Sequence, residues 1–292
     1  MATIAQTQVK APAARPLQLW HLLSLDAPTV AALWTLFVSR SVHLHLTFRT
    51  PSSMFFAVWI LYAADRLLDA RALSDNPFHV ELEARHHFHS IHRTWFLVFI
   101  GISAAALSAL LPAIPPEALH LYLILGALLG VYFILIHATP AAPRLPKEFA
   151  VGFFFSAAVF IPTVARRADL RLPLLPAAIL FALLCSLNCL FIYAWEHPPH
   201  QFDQKNFEPH RFTRLAIRFL PEVTSLTLAL SLAFTLIPGP WPHSVATACF
   251  LSAGTLLCLH HFRMHLSRLT LRASADLALL TPLLLLAVRH PA

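Results

Sequence analysis

The fold of this chain is decided between residues 51 and 69, where the sequence reads PSSMFFAVWILYAADRLLD. Most of this stretch is too apolar for the surface helix of a soluble protein, and Asp65 and Asp69 close it. Residues four apart share one face of an α-helix, so both carboxylates are expected on the same face. Acids at the end of a membrane-facing segment are costly unless a cation, a base or water meets them. We therefore interpret this pair as the working end of the protein.

The composition of the whole chain indicates a membrane protein. Its 292 residues are 58% hydrophobic and only 12% charged, with a mean hydropathy of +0.66, whereas soluble domains carry about 25% charged residues. The net charge of +7 is compatible with nucleic acid, but the basic residues form neither a run nor an amphipathic face. They lie between apolar segments, so we predict membrane lipid as the surroundings and no nucleic acid as a partner.

Nine apolar windows follow one another along the chain. A helix rises about 1.5 Å per residue, so about 20 residues cross the hydrocarbon core of a bilayer. Residues 1–16 are polar and rich in Ala and Pro and predict a disordered tail, while residues 17–292 predict a single all-α domain with nine transmembrane helices. The windows lie at residues 22–41, 51–68, 94–111, 117–137, 149–166, 173–195, 216–237, 242–262 and 274–289.

The basic residues between these windows predict the orientation. With the N-terminus in the cytoplasm, 15 of the 21 Lys and Arg residues fall on the inner side and 6 on the outer side. Lys and Arg are enriched in the cytoplasmic loops of membrane proteins. We therefore predict a cytoplasmic N-terminus. For an integral, multi-pass protein of this kind we expect a bacterial inner membrane.

The same orientation brings the unusual charges to one membrane face. The two longest predicted loops are both cytoplasmic. Asp65 and Asp69 enter the first of them, and Glu196 and Asp203 enter the second. Lys147 opens the fifth window from the same side. The active face is therefore predicted to be cytoplasmic.

Residues 61–69 resemble the first Asp-rich motif of the UbiA superfamily of intramembrane prenyltransferases. That motif reads Asn-Asp-x-x-Asp-x-x-x-Asp, often with Arg after the middle Asp. This chain reads LYAADRLLD, which keeps the last two carboxylates and the Arg, while Leu61 and Tyr62 replace the opening Asn-Asp. The family has nine helices, so the resemblance implies a UbiA-like bundle.

Two further stretches resemble the family less closely. Its second Asp-rich motif follows the sixth helix, where this chain reads NCLFIYAWE over residues 188–196 and then has Asp203. Only Glu196 and Asp203 could replace the carboxylates of that motif. Residues 145–152, LPKEFAVG, look like the start of the family's fifth helix, where a basic residue precedes an apolar, Gly-containing helix.

The resemblance implies Mg²⁺-dependent transfer of a prenyl group from an isoprenoid diphosphate to a lipophilic acceptor within the membrane. Mg²⁺ is typically held by one or two carboxylates together with phosphate oxygens. The implied metal ligands are Asp65, Asp69, Glu196 and Asp203. The implied catalytic residues are Asp65, Asp69, Arg66 and Lys147, the last two holding diphosphate oxygens. The implied substrate-binding residues are Arg71, Asn188, Tyr193, Trp59 and Tyr62.

An apolar, aromatic barrel is expected to hold the prenyl tail. Aromatic faces also stabilise a nearby cation, such as the allylic cation that ionisation produces. The expected lining residues are Phe55, Phe56, Trp59, Phe191 and Trp195.

Other interpretations of the acidic residues stay open. Asp65, Arg66 and Asp69 also fit an ion-pair cluster at a helix end, and the chain could be a terpene cyclase or a non-catalytic binder of polyprenyl lipid. Asp276 fits either a first-turn acid favoured by the helix dipole or an acid that pairs inward with a base. Asp26, shortly before a proline, is interpreted as a helix N-cap.

The 18 histidines suggest a rival enzyme class. Histidines three or four apart on a helix can share a metal, as in membrane di-iron oxygenases. The spacing fits poorly, because prolines break one cluster and another has its doublet at the wrong end. A transporter is a third class, but the chain has only six Gly and no clear internal repeat. The clusters are His86, His87, His89 and His92; His197 and His200; and His260, His261 and His265.

Overall fold

A computed structural model describes residues 16–74, 84–138, 146–196 and 210–288, without the side chains of residues 69–74, 84–87 and 136–138. Within these residues the regular structure is helical and contains no strand. The α-helices are α1 (Pro16–Leu22), α2 (Asp26–Ser41), α3 (Arg49–Ser74), α4 (Ala84–Ile91), α5 (Arg93–Leu110), α6 (Pro116–Ala138), α7 (Lys147–Arg166), α8 (Arg171–Glu196), α9 (Arg211–Arg218), α10 (Leu220–Leu236), α11 (His243–His261), α12 (Arg268–Ala278) and α13 (Pro282–Val288).

Five helical segments are long and apolar enough to cross a membrane, which agrees with an all-α integral membrane protein. Three more pairs meet the same criteria but are bent: α1 with α2 by 90°, α9 with α10 by 77°, and α12 with α13 by 43°. The described residues therefore contain five to eight candidate spans, and the count of nine stays a prediction. The five segments are Arg93–Ala113, Pro116–Leu135, Lys147–Arg166, Ala168–Glu196 and His243–His261.

Helix α3 runs further than its sequence window indicated. The window ended at residue 68, whereas the helix continues to Ser74, so Asp65 and Asp69 lie within the helix and not at its end. The physical reason is the composition of residues 70–73, ARAL, which are strong helix formers. The backbone is therefore helical at both residues.

The sharp bend between α1 and α2 takes place at Ser24. This residue has a φ of 57°, in the left-handed region that a non-glycine residue adopts only at a cost. Its hydroxyl lies 3.1 Å from Nε2 of the buried His89, and the carbonyl of the preceding Leu23 accepts a 3.2 Å hydrogen bond from the indole of Trp59. The bend folds α1 back against the bundle instead of extending α2.

The main hydrophobic core lies among α2, α7, α8, α11 and the last two helices. Trp34 is fully buried at its centre and stacks on Phe181 with ring centroids 4.1 Å apart. The indole N–H of Trp34 donates a 2.7 Å hydrogen bond to the carbonyl of Leu279. This bond satisfies the one polar atom of a large apolar side chain and ties α2 to the C-terminal helices.

Helices α7 and α8 approach each other closely at a glycine. A Cβ atom on Gly152 would lie 2.5 Å from the carbonyl oxygen of Ala182, and it would also collide with the hydroxyl of Ser186. One turn further along α7, the Ser156 hydroxyl donates a 2.8 Å hydrogen bond to the carbonyl of Ala178. Small residues at this contact allow the two backbones to pack directly together.

Helices α5 and α6 lie at the periphery of the bundle. Only 11% and 6% of their candidate membrane-spanning windows are buried inside the protein. Apolar side chains of α6 such as Leu123, Leu128 and Ile134 are exposed. A helix that is apolar on all sides yet unburied by protein is typical of a lipid-facing span.

Candidate active site

A cavity of about 640 Å³ runs lengthwise between α3 and the pair α6 and α7. On α3 its wall extends from Thr50 to Asp65, which is about 22 Å at 1.5 Å per residue. On α7 the wall extends from Lys147 to Arg166, or about 28 Å. The cavity is therefore long enough for an extended apolar chain.

The two ends of this cavity differ in chemistry. Asp65, Lys147, Asn188 and Asp276 lie in the wall at one end, which we call the polar end. The middle is mostly apolar. At the far end the Arg166 guanidinium donates a 3.3 Å hydrogen bond to the Thr50 hydroxyl. The apolar middle is lined by residues that include Met54, Val58, Leu125, Leu129, Phe154 and Phe155.

A buried network of four side chains stands behind the polar end. The His21 Nδ1 lies 2.6 Å from Asp26 Oδ2 and 3.6 Å from Asp276 Oδ2. The Asn188 side-chain amide donates a 2.9 Å hydrogen bond to Asp276 Oδ1. These residues come from α1, α2, α8 and α12, and none is more than 8% exposed. The network therefore joins four helices that are distant in sequence, and Asn188 and Asp276 connect it to the cavity.

Arg66 supplies a positive charge beside this network. The residue is 3% exposed, and its guanidinium lies over the ring of Tyr62, 4.3 Å from the ring centroid. The carboxylates of Asp26 and Asp276 attract it electrostatically. Its nitrogens make no hydrogen bond of good geometry with the described residues. Tyr62 belongs to the cavity wall and Arg66 does not, so Arg66 affects the cavity from behind the tyrosine.

Four of the residues chosen from the sequence lie together in the cavity wall: Asp65, Lys147, Asn188 and Tyr62. They come from three helices. The start of α7 lies beside the C-terminal parts of α3 and α8, which brings these side chains together. Of the charged residues predicted to converge, Asp65 and Lys147 lie together in this wall, and the convergence of the others stays a prediction.

Several other chosen residues lie elsewhere. The Glu196 carboxylate forms an ion pair with Arg272. Tyr193 is half-buried on α8, outside the cavity wall. Asp203 and the side chains of Asp69 and Arg71 lie outside the described part of the chain. The four-carboxylate magnesium site therefore stays a prediction.

The aromatic residues expected to line the barrel lie outside the wall of this cavity. Phe55 and Trp59 line a smaller pocket between α3, α4 and α5, and Phe191 is buried in the main core. Neither Phe56 nor Trp195 is part of the cavity wall. The reason is helical periodicity: the cavity face of α3 repeats every three or four residues, and Phe55 and Trp59 fall on another face.

His21, Asp26 and Asp276 can also be considered as a metal site. One ligand atom from each lies within 4.8 Å of the others, the one such group among the described residues. However, Asp26 already accepts hydrogen bonds from His21 and from the Ala27 backbone N–H, and Asp276 accepts one from Asn188. The nearby Arg66 cation also opposes a metal ion. A hydrogen-bonded, charge-compensated network explains this geometry better.

Sequence reasoning missed His21 and placed Asp26 wrongly. Asp26 lies in the first turn of α2, where Leu25 occupies the N-cap position. Asp276 follows the inward-pairing interpretation, because it lies 3.6 Å from His21 and attracts Arg66 electrostatically. The sequence did contain one sign of this pair. His21 and Asp26 are two ionisable residues only five positions apart at the edge of an apolar window.

The histidine clusters are only partly described, and none assembles three metal ligands within the described residues. His89 contacts Ser24, and His92 Nδ1 lies 2.9 Å from the Phe88 carbonyl. The indole of Trp195 donates a 3.1 Å hydrogen bond to Nδ1 of His260. His197 and His200 and the side chains of His86 and His87 lie outside the described part of the chain.

No family model, curated protein or solved structure matches this chain. The chemistry of the site therefore rests on its own geometry. The cavity can hold an amphiphile with a long apolar chain and a polar head. Lys147 can attract an anionic head group, and Asp65 can bind a cation.

Proposed function

We propose that the protein is a UbiA-like integral membrane prenyltransferase. It transfers a prenyl group from an isoprenoid diphosphate to a lipophilic acceptor, with Mg²⁺ as cofactor. The observation that carries this proposal is the long apolar cavity with Asp65 and Lys147 together at its polar end. An isoprenoid diphosphate has the same division into a long apolar chain and a charged head.

Each residue has a role that its position suits. Asp65, and Asp69 one turn further along α3, would bind Mg²⁺, which needs only one or two carboxylates when phosphate oxygens complete its shell. Bound Mg²⁺ neutralises negative charge on a leaving diphosphate. Lys147 attracts the diphosphate directly, and Arg66 adds positive potential from behind Tyr62. Fixed charges of this kind act strongly where water is excluded.

The other assigned residues have less direct parts in the proposal. Asn188 is held by its hydrogen bond to Asp276 and orients the acceptor or the head group. Glu196 reaches a metal only if its ion pair with Arg272 opens. The excess of basic residues in the loops on one side supports an orientation with the polar end on the cytoplasmic side, and a bacterial inner membrane remains part of the proposal.

A direct test measures binding of labelled geranylgeranyl diphosphate to purified protein in nanodiscs, with Mg²⁺ and then with EDTA. We expect saturable binding that EDTA removes and that Asp65→Asn weakens by about tenfold or more, because a charged metal ligand is lost. Asp169→Asn is the matched control, since this exposed acid pairs with Arg167 outside the cavity wall. Binding that is unchanged both by EDTA and by Asp65→Asn would contradict the role of Asp65 as a metal ligand.

The same preparation separates the alternatives. Release of diphosphate without any acceptor, together with a cyclic hydrocarbon product formed by loss of a proton, would indicate a terpene cyclase. Binding without release, across a panel of lipophilic acceptors, would indicate a non-catalytic polyprenyl-lipid binder. Transfer of label to one acceptor would establish the prenyltransferase.

A further inference from the structure

Helix α9 (Arg211–Arg218) divides its side chains among three directions. Successive residues of an α-helix are about 100° apart around its axis. Thr213, Ala216 and Ile217 therefore share one arc, and they face the protein: Thr213 is buried, and the other two pack against the main core. The Thr213 hydroxyl also donates a 2.8 Å hydrogen bond to Glu148. This face fixes α9 against the start of α7.

A second arc of α9 is apolar and faces outward. Phe212, Leu215 and Phe219, which directly follows the helix, are 65%, 55% and 43% exposed. They fall within about 60° of one another around the axis. Three large apolar side chains side by side are unfavourable in water, so this arc suits the acyl chains of a bilayer.

The third arc of α9 is basic. Arg211, Arg214 and Arg218 also fall within about 60° of one another, and the middle of their arc lies about 100° from the middle of the apolar arc. All three are exposed. None forms an ion pair with a carboxylate in the part of the chain that the structure describes. This arc therefore lacks an internal counter-charge among those residues.

The direction of α9 matches its three faces. It is bent by 77° from α10, and the two helices meet the criteria for a candidate membrane span only when they are taken together. If α10 crosses the bilayer, α9 lies nearly parallel to the membrane surface. The hydrogen bond between Thr213 and Glu148 places α9 beside Lys147, at the same end of the bundle as the polar end of the cavity.

We propose that α9 is an interfacial helix that binds the phosphate groups of anionic phospholipids. Its apolar arc enters the acyl region, and its three arginines remain at the level of the head groups. Guanidinium groups bind phosphate oxygens through paired hydrogen bonds, and an anionic leaflet attracts basic side chains close to its surface. The site stands independently of any prenyl transfer.

The test uses the full-length protein in nanodiscs of phosphatidylcholine with 20% phosphatidylglycerol, a composition chosen to be about that of a mildly anionic leaflet. A bimane fluorophore is attached to the cysteine introduced by Leu215→Cys, in a Cys258→Ser parent whose residual labelling is subtracted. Brominated acyl chains are placed on one of the two lipids at a time. Quenching then reports which lipid surrounds α9.

We expect brominated phosphatidylglycerol to quench the bimane fluorescence at least about twofold more than its fraction of the total lipid predicts. The triple variant should reduce this quenching to the value that the lipid fraction predicts. It combines Arg211→Gln, Arg214→Gln and Arg218→Gln. The same fluorophore at Leu226→Cys, on an exposed position of α10, should show no preference.

Two results would overturn the proposal. Absence of quenching by either lipid would show that α9 lies outside the acyl region. Quenching in proportion to lipid content, unaffected by the arginines, would show that anionic lipid is not bound. Where the triple variant does not fold, Arg214→Gln alone and a salt titration of the parent serve instead, because high salt should weaken the preference.

Discussion

His21 is the residue on which the buried network depends. It is fully buried, and its Nδ1 approaches the carboxylates of both Asp26 and Asp276. Without it, two buried carboxylates would face each other with Arg66 as their main positive partner. Buried charges are stable only when they are paired and hydrogen-bonded.

We expect His21→Ala to destabilise the protein by about 3 kcal/mol or more, because it removes one partner of a buried ion pair. The measurement is thermal unfolding of purified protein in detergent, followed by loss of monodispersity. His45→Ala is the matched control, since His45 is exposed. Equal melting temperatures for the two variants would show that the network does not stabilise the fold.

At the scale of the elements, the contact between α7 and α8 positions the polar end. Lys147 begins α7 and Asn188 lies in the last third of α8, so the approach of these two helices sets the distance between the two residues. Gly152 permits that approach, because any Cβ there would collide with α8. Close packing of the two helices therefore fixes the relative positions of the wall residues that they carry.

Gly152→Ala should therefore cost about 1–3 kcal/mol through overpacking, although alanine favours helix formation. The comparison is Gly101→Ala on α5, where an added Cβ meets nothing within 4 Å and stability should stay the same or rise. Thermal unfolding of both variants in detergent gives the answer. Gly152→Ala with unchanged stability would mean that α7 and α8 can separate without cost.

For the molecule as a whole, the arrangement of helices makes one long cavity with a polar end. Well-packed helices surround one side, and the lipid-facing α6 covers another. The length of chain that fits should therefore depend on side chains halfway along the cavity. Ala57 is such a position, eight residues before Asp65 on α3 and about 12 Å from it along the axis.

Ala57→Phe should shorten the cavity. We expect affinity for geranylgeranyl diphosphate to fall by about tenfold or more, with a smaller loss for geranyl diphosphate, whose chain is shorter. Ala104→Phe on the exposed face of α5 is the matched control. Parallel losses for both ligands would mean that the chain does not lie along this cavity.

The predicted orientation can be tested at the two ends of α11. Ser267 lies shortly after its C-terminal end and Pro240 shortly before its start, and both are exposed. In intact cells, a membrane-impermeant thiol reagent should label the cysteine of Pro240→Cys and spare that of Ser267→Cys. The reverse pattern would place the polar end outside the cytoplasm.

The sequence by itself determined the class of the fold and part of the site. Apolar windows predicted helices because burial of apolar side chains and pairing of backbone groups leave few alternatives in lipid. The scarcity of charge in this chain then made Asp65 and Lys147 conspicuous, and the family resemblance added Asn188. All three lie in the cavity wall.

Only the tertiary structure decided how the polar end is built. Ser24 turns the chain back so that His21 meets Asp26 and Asp276, which no periodic pattern encodes. The expected aromatic residues lie outside this cavity. The sequence shows that a helix is apolar, but not which of its apolar faces borders a cavity. That choice depends on which helices become neighbours, and neighbours are set by contacts between residues far apart in the chain.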